Sequence, residues 1–585
     1  MLVVVGIGLG IGGYFAYQQF RTKLASEPAG NSGHPPTTPA TGKLVLLVVF
    51  DQLRGDYLAR WAEHFGPNGF ERMKREGVWY RNTRIPYAST STGPGHASLV
   101  TGVPPAVHGI VENDWWDRKA SARVYCCQPS RPYDRVPPLA AGSAELSRGS
   151  GLGFSPENVL VDTVGDRLKA STQNRARVFS LSIKDRSAVL MGGKKPDGIY
   201  CFDNRDGIFH TGAYYQDRIH PWVATFNAER LVNRWFDQTW DRFRPELDYA
   251  KILGNPDEAA GESFGFNGQG RLFPHPYQGK LSEPSKGYFE AVECSPAGND
   301  LLLALAKTAI TAEKLGQSDT ADLLCLSFSS NDLVGHAWGP DSWEVFDITL
   351  RTDQLVADLL AFLDTTLGLD RYIVVVTSDH GVCPIPEQKK LPTARRLTVG
   401  ELLVPLGKVL DQVFGVPPTG PTQWFEVTDP KEQDRLWPWI YLNRKAIAAQ
   451  DLPFDQVAEY VRDWLSGRDD VEIAFTRGQL ESTKFPMGSF GAKAVLTYRS
   501  DRCGDVLVVP KPGVLVTGYS GGTSHGSAQD YDVHIPVLIM GGGVPKRGEQ
   551  AAPVSSLIVA PLLSWALGIE PPPQAVERLP ADWNR

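Results

Sequence analysis

Six side chains able to bind a metal stand in short polar segments between apolar runs: Asp51, Asp332, His336, Asp379, His380 and His525. Asp51 closes the run Lys43 to Phe50 (KLVLLVVF). Asp332 and His336 lie in S-S-N-D-L-V-G-H, just after the apolar run that ends at Phe328. Asp379 and His380 lie in T-S-D-H-G after Tyr372 to Thr377, and His525 lies in G-T-S-H-G-S. Asp332 and His336 are one helical turn apart, which places both on one face. Carboxylate and imidazole together suit zinc. Six such ligands exceed one tetrahedral ion and suit two, each with three protein ligands and open positions. Two ions about 4 Å apart form a clamp for in-line phosphoryl displacement.

That chemistry needs a nucleophile, and Thr92 is the candidate. It precedes Gly93-Pro94-Gly95-His96 in the stretch Ser89 to His108. Proline is favoured at the first helical position, where its missing N–H costs nothing. The pattern therefore predicts a tight turn entering a helix, with Thr92 near the cap. Backbone N–H groups and the helix dipole favour an anion there. A threonine hydroxyl is a weak nucleophile at its own pKa, and metal coordination supplies what it lacks. Lys184 and Arg186, one residue apart at the end of the run Val178 to Ile183, can point at one anion, and Asn113 can place an amide near the same site.

The elements that carry these residues read as α/β. Buried strands are expected at Lys43–Phe50, Val178–Ile183, Ala321–Phe328, Tyr372–Thr377 and Val533–Met540, where apolar residues run on without alternation. Helices are expected over Asn299–Leu315, Ser342–Leu363 and Val554–Leu567. Ligands of open α/β sheets gather beyond the carboxyl ends of the strands. The expected fold is a central, mostly parallel sheet flanked by helices. Gly198 to Trp222 reads as a loop or hairpin insertion. Residues 384–515 break the α/β rhythm, being rich in Pro and Trp, and read as an inserted cap subdomain. The catalytic core then comprises residues 43–383 and 516–585.

The chain has 585 residues and a net charge of −7, which gives no basic footprint for a nucleic acid partner. Leu2 to Phe20 is largely apolar and uncharged, so residues 1–26 read as a membrane anchor or signal segment. Residues 27–42 follow as a flexible linker. Gly8, Gly10 and Gly13 fit G-x-G-x-x-G, but no second strand follows, and they read as small residues of a membrane helix. Arg21 and Lys23 alone would hold that side in the cytoplasm. Export of the catalytic core to the periplasm or outer face would then call for basic residues upstream of Met1. The seven cysteines show no C-x-x-C spacing and specify no disulfide framework.

The motifs together resemble the alkaline phosphatase superfamily, from about Lys43 to Leu567. The nearest likeness is the branch with a threonine nucleophile, which holds type I phosphodiesterases/nucleotide pyrophosphatases and PafA-type alkaline phosphatases. The resemblance implies Thr92 as nucleophile. It implies Asp332, His336 and His525 as ligands of one zinc ion, and Asp51, Asp379 and His380 as ligands of a second, which Thr92 faces. Ser182 to Ser187 (SIKDRS) is similar to the PafA-type enzymes, and this implies that Lys184, Arg186 and Asn113 contact the phosphoryl oxygens. A phosphate monoester carries about one more negative charge than a diester near neutral pH. Two cations and an amide stabilise that dianion selectively. The expected activity is a two-zinc phosphomonoesterase acting on small phosphate esters through a phosphothreonine. The alternative is a phosphodiesterase or nucleotide pyrophosphatase. His96 and His108 are expected to be structural. A sulfatase would need C-x-P-x-R or S-x-P-x-R at Thr92, and a binding module on an inactive fold would lack ligands that are all present here.

Overall fold

Leu44–Phe50 is buried along its whole length and sits in the middle of a sheet. Leu44, Leu46, Val48 and Phe50 face one apolar core, and Val45, Leu47 and Val49 face another. A strand covered on both faces has no polar side, so its sequence runs apolar without alternation. The computed structural model describes residues 42–139, 153–388, 390–580 and 583. The expected anchor at 1–26, and the linker at 27–42 except its last residue, lie outside them. Among the described residues no helix is long and apolar enough to cross a membrane.

Among the described residues the sheet has 11 strands. In chain order they are β1 (Leu44–Phe50), β2 (Val78–Arg84), β3 (Arg135–Val136), β4 (Val178–Ser182), β5 (Gly198–Asp203), β6 (Ile208–Gly212), β7 (Asp322–Phe328), β8 (Tyr372–Thr377), β9 (His534–Gly541), β10 (Gly548–Gln550) and β11 (Val554–Ser555). Their spatial order is β10-β2-β9-β8-β1-β7-β4-β5-β6-β3, with β11 also paired to β2. The centre, β8-β1-β7-β4-β5, is parallel. Antiparallel ladders flank it: β9 on β8, β2 on β9, and β6 on β5. Helices Pro296–Ala312 and Trp343–Thr366 cover one face. Thr92–Thr101, Val164–Ser171 and Val559–Leu567 cover the other.

Three local expectations change. Gly198–Asp203 is not an insertion: it pairs with β4, and the hairpin to β6 extends the sheet. Its aromatic residues are buried as an aliphatic strand's would be. The closing helix begins at Val559, because Val554 and Ser555 pair with Thr83 and Arg84 instead. The helix that carries Thr92 begins at that residue, two residues before Pro94. Proline is tolerated there because the first four N–H groups of a helix have no partner inside it.

Within residues 384–515, strands Trp439–Ile440, Val506–Pro510 and Val471–Thr476 form a separate three-stranded sheet. Helices Val399–Phe414 and Phe454–Ser466 pack on it around a core of their own that includes Leu406, Trp424, Val461 and Val508. The hairpin Asp114–Asp117/Ala122–Tyr125 leans on this unit. Arg123 bonds Glu432 at 2.7 Å, and Arg118 bonds Asp505.

Strand order decides where the polar residues meet. Asp51 follows β1, Asp332 lies just beyond β7, and Asp379 and His380 follow β8, so three neighbouring parallel strands deliver them to one edge. Lys184 follows β4, the next strand along. Because β9 runs antiparallel to β8, the segment before β9, which carries His525, arrives at the same edge.

Candidate active site

Three oxygens surround one imidazole nitrogen. His380 Nε2 lies 3.3 Å from Asp51 Oδ1, 3.3 Å from Asp379 Oδ2 and 3.5 Å from Thr92 Oγ1. Beside them, Asp332 Oδ1 lies 3.2 Å from His336 Nε2 and 3.5 Å from His525 Nε2. The rings of His380 and His525 stack with centroids 3.6 Å apart, which joins the two groups into one site. A tetrahedral ion with bonds of about 2.0 Å sets its donors about 3.3 Å apart, matching both groups.

The hydrogen bonds settle which atoms face inward. The Nδ1 atoms of His336, His380 and His525 each meet a backbone carbonyl, that of Thr523, Gly381 and Thr90, at 2.7, 2.9 and 2.8 Å. Each Nδ1 therefore carries the proton and donates it, which leaves the Nε2 lone pair to face the carboxylates. With a metal ion bound, that lone pair faces the ion; without one, the carboxylates of Asp379 and Asp51 draw a second proton onto His380 Nε2. Asp51 Oδ1 and Asp379 Oδ2 are buried and accept no well-aligned hydrogen bond, as ligand atoms would be, with His96 Nδ1 standing 3.1 Å from Asp379 Oδ2. These donors fit metal ions. Among the described residues, Asp332, His336 and His525 form one group able to hold an ion, and Asp51, Asp332 and His380 form another. The second differs from the expected trio by including Asp332, while Asp379 stands at the same imidazole nitrogen.

The charge balance is equally specific. Burial disfavours a charge on His380, but the carboxylates of Asp379 and Asp51 outweigh it and push its pKa up to about 9. Burial, and then the neighbouring His380, push His525 down to about 3. Burial and Asp332 would raise Asp51, but Lys184 and His380 hold it below the usual carboxylate range. Lys184 Nζ bonds Asp51 Oδ2 at 2.7 Å and also bonds Asp332 Oδ2.

Thr92 is the first residue of its helix, and the approach is close. A Cβ on Gly95 would lie 2.5 Å from the Asp379 backbone oxygen, so only glycine lets the helix start against that loop. Asn113 reaches the same turn from 21 residues downstream: its Oδ1 accepts the Gly93 N–H at 2.7 Å. With the carbonyl so engaged, the Asn113 NH2 group remains as donor. The Arg186 Nε is buried without a hydrogen-bond partner, and its charge interacts with Tyr125, Asp185 and Asp51. Tyr125 OH donates to Asp185 Oδ1 at 2.6 Å. His96 is enclosed between the Thr92 carbonyl and the Ser327 hydroxyl, and His108 between Ser98 and the Ile110 N–H.

The sequence profile of type I phosphodiesterase/nucleotide pyrophosphatase matches residues 45–533. The chain belongs to this family. Among its relatives, alkaline phosphatase PhoV of Synechococcus elongatus is 33% identical, over 94% of this chain and 94% of its own length. Alkaline phosphatase PafA of Elizabethkingia meningoseptica is 31% identical, over 91% of this chain and 93% of its own. The crystal structure of wild-type PafA aligns with a TM-score of 0.82 at 30% identity, covering 94% of this chain and 99% of that one. The fold is therefore that of an alkaline phosphatase of this family.

Two residues of the site carry no signal in the motifs of the chain. Gln52 has φ of 70°; its Nε2 donates to Asp332 Oδ1 at 2.7 Å and its N–H to Asp379 Oδ1 at 3.2 Å. Glu112, beside Asn113, accepts from the hydroxyls of Ser89 and Ser91. A left-handed, buried glutamine directly after Asp51 is recognisable only once the fold is known.

Proposed function

We propose that the protein hydrolyses small phosphate monoesters with two zinc ions, through a phosphothreonine at Thr92. The observation that carries this reading is the triangle of Asp51, Asp379 and Thr92 oxygens around His380 Nε2, next to the Asp332, His336 and His525 group. A hydroxyl within 3.5 Å of that nitrogen supports the reading. Asp51, Asp379, His380 and Thr92 would hold one ion, and Asp332, His336 and His525 the other. The pair would supply Lewis acidity to attacking and departing oxygens.

The residues of the chain do the rest. Thr92 Oγ1, at the start of its helix, attacks phosphorus opposite the ester oxygen. The bond from Oγ1 to phosphorus forms as the bond to the alcohol breaks, and the alcohol leaves with the proton that Thr92 gives up. Water then takes the phosphoryl group from Thr92 and returns a proton to Oγ1. Asn113 donates from its NH2 group to a phosphoryl oxygen, and Lys184 and Arg186 balance the charge that separates a monoester from a diester. PhoV and PafA are named alkaline phosphatases, which supports the monoester. A PafA structure with Thr, Asn, Lys and Arg replaced adds weight: its Thr-to-Asn and Lys-to-Arg separations equal those of Thr92 to Asn113 and Lys184 to Arg186. We read residues 384–515 as the cap over this site and residues 1–26 as a membrane anchor or signal segment of an exported protein.

Acid quenching during turnover of an aryl phosphate tests the mechanism. One phosphoryl group on the peptide containing Thr92, absent from Thr92→Ala, is expected. Turnover that survives Thr92→Ala undiminished would overturn it.

A further inference from the structure

Ser91 is the N-cap of the nucleophile helix, yet its side chain makes no capping hydrogen bond. A capping serine normally accepts from the N–H of the second or third helical residue. Here the third is Pro94, which has no N–H, and the second is Gly93. Gly93 thus offers the one amide Ser91 could cap, and Asn113 Oδ1 already holds it at 2.7 Å. Two side chains compete for a single donor. The Ser91 hydroxyl instead donates to Glu112 Oε2, while the Ser89 hydroxyl donates to Glu112 Oε1 at 2.5 Å. Glu112 is 5% exposed and is bonded to Asn113 through the chain.

We propose that Glu112 is a positioning residue: by binding the hydroxyls of Ser89 and Ser91 it reserves the Gly93 amide for Asn113 and so aims the Asn113 NH2 group at the substrate's phosphoryl oxygens. This rests on the phosphomonoesterase reading. One acidic side chain buried between two hydroxyls beside the nucleophile then has a task that scaffold packing does not require. Freed from Glu112, Ser91 would rotate onto the Gly93 N–H, and Asn113 would lose the anchor that orients it.

The test is a mutant cycle on the full chain, read as kcat/KM for an aryl phosphate. Glu112→Ala is expected to lose about tenfold or more, as loss of one preorganised donor does. Adding Ser91→Ala removes the competitor and recovers most of that loss. In an Asn113→Ala background, Glu112→Ala costs less than twofold, because coupled residues are not additive. The same factor lost with and without Asn113, or no recovery by Ser91→Ala, overturns the proposal. Glu112→Gln, which keeps the volume, serves if the alanine variant does not fold, with a smaller loss of the same pattern. A crystal structure of the variant decides independently of any activity: Ser91 Oγ on the Gly93 N–H is expected, and an unchanged Asn113–Gly93 bond overturns it. Absence of wild-type monoester turnover would refute the function while leaving that structural outcome readable.

Discussion

Lys184 Nζ lies 2.7 Å from Asp51 Oδ2 and bonds Asp332 as well, so one ammonium ties together carboxylates of both metal groups. It is a cation beside the ligands and not a ligand. Lys184→Ala is therefore expected to keep its zinc content while losing about 10²- to 10³-fold in kcat/KM for a monoester, the range seen when one preorganised electrostatic contact is removed. Elemental analysis together with steady-state kinetics checks this. Loss of zinc with loss of activity would make Lys184 a support for the metal site instead.

Zinc removal should cost both activity and stability. The Nε2 atoms of His336, His380 and His525 all face carboxylates, an arrangement that a bound cation stabilises. Binding to the folded state alone adds roughly 4 kcal/mol at free zinc a thousandfold above Kd. A chelator is expected to abolish turnover and lower the melting temperature, and zinc to restore both. A melting temperature indifferent to chelation would contradict the ligand assignment.

Gly95 is a direct test of the packing. An alanine Cβ would lie 2.5 Å from the Asp379 backbone oxygen and 2.7 Å from its Cβ. Overpacking of this kind costs about 1–3 kcal/mol. The strain falls on Asp379, a proposed metal ligand, so Gly95→Ala should lower both the urea midpoint and kcat. Full stability and full activity would show that the helix start has room to move.

Asp51, Asp379 and His380 were legible in the sequence because each sits at the end of an apolar run buried on both faces. There the chain leaves the sheet and its polar groups gather. His525 was harder: it arrives through β9, whose direction is a matter of tertiary pairing. The strand Val78–Arg84 went unread because polar residues fill its second half. Gln52 and Glu112 stayed hidden for a related reason. Gln52 meets Asp332 across 280 residues of sequence, and Glu112 meets the Ser89 and Ser91 hydroxyls only through the folded turn.

Stability should also depend on pH through Glu262. This carboxyl is buried and its Oε1 has no partner. Burial, and then the adjacent Glu344, lift its pKa from the ordinary 4.5 to about 9. The folded chain keeps a proton that the unfolded chain releases above 4.5. The contribution is therefore full below 4.5 and is lost as pH climbs to about 9, by at most about 1.4 kcal/mol per pH unit. Glu262→Gln removes this slope. Denaturation between about pH 5 and pH 9 should show wild type losing more stability than the variant. Parallel curves would contradict it.

Asn113, Lys184 and Arg186 are proposed to make this site a monoesterase. The most direct measurement is the ratio of kcat/KM for an aryl phosphate monoester to that for the matching diester. It should be taken on the zinc-loaded protein and on the Lys184→Ala/Arg186→Ala variant. A wild-type ratio well above one that collapses in the variant, with diester turnover nearly intact, is the predicted result. A wild-type preference for the diester, or equal losses on both substrates, would assign these three residues no part in monoester selectivity.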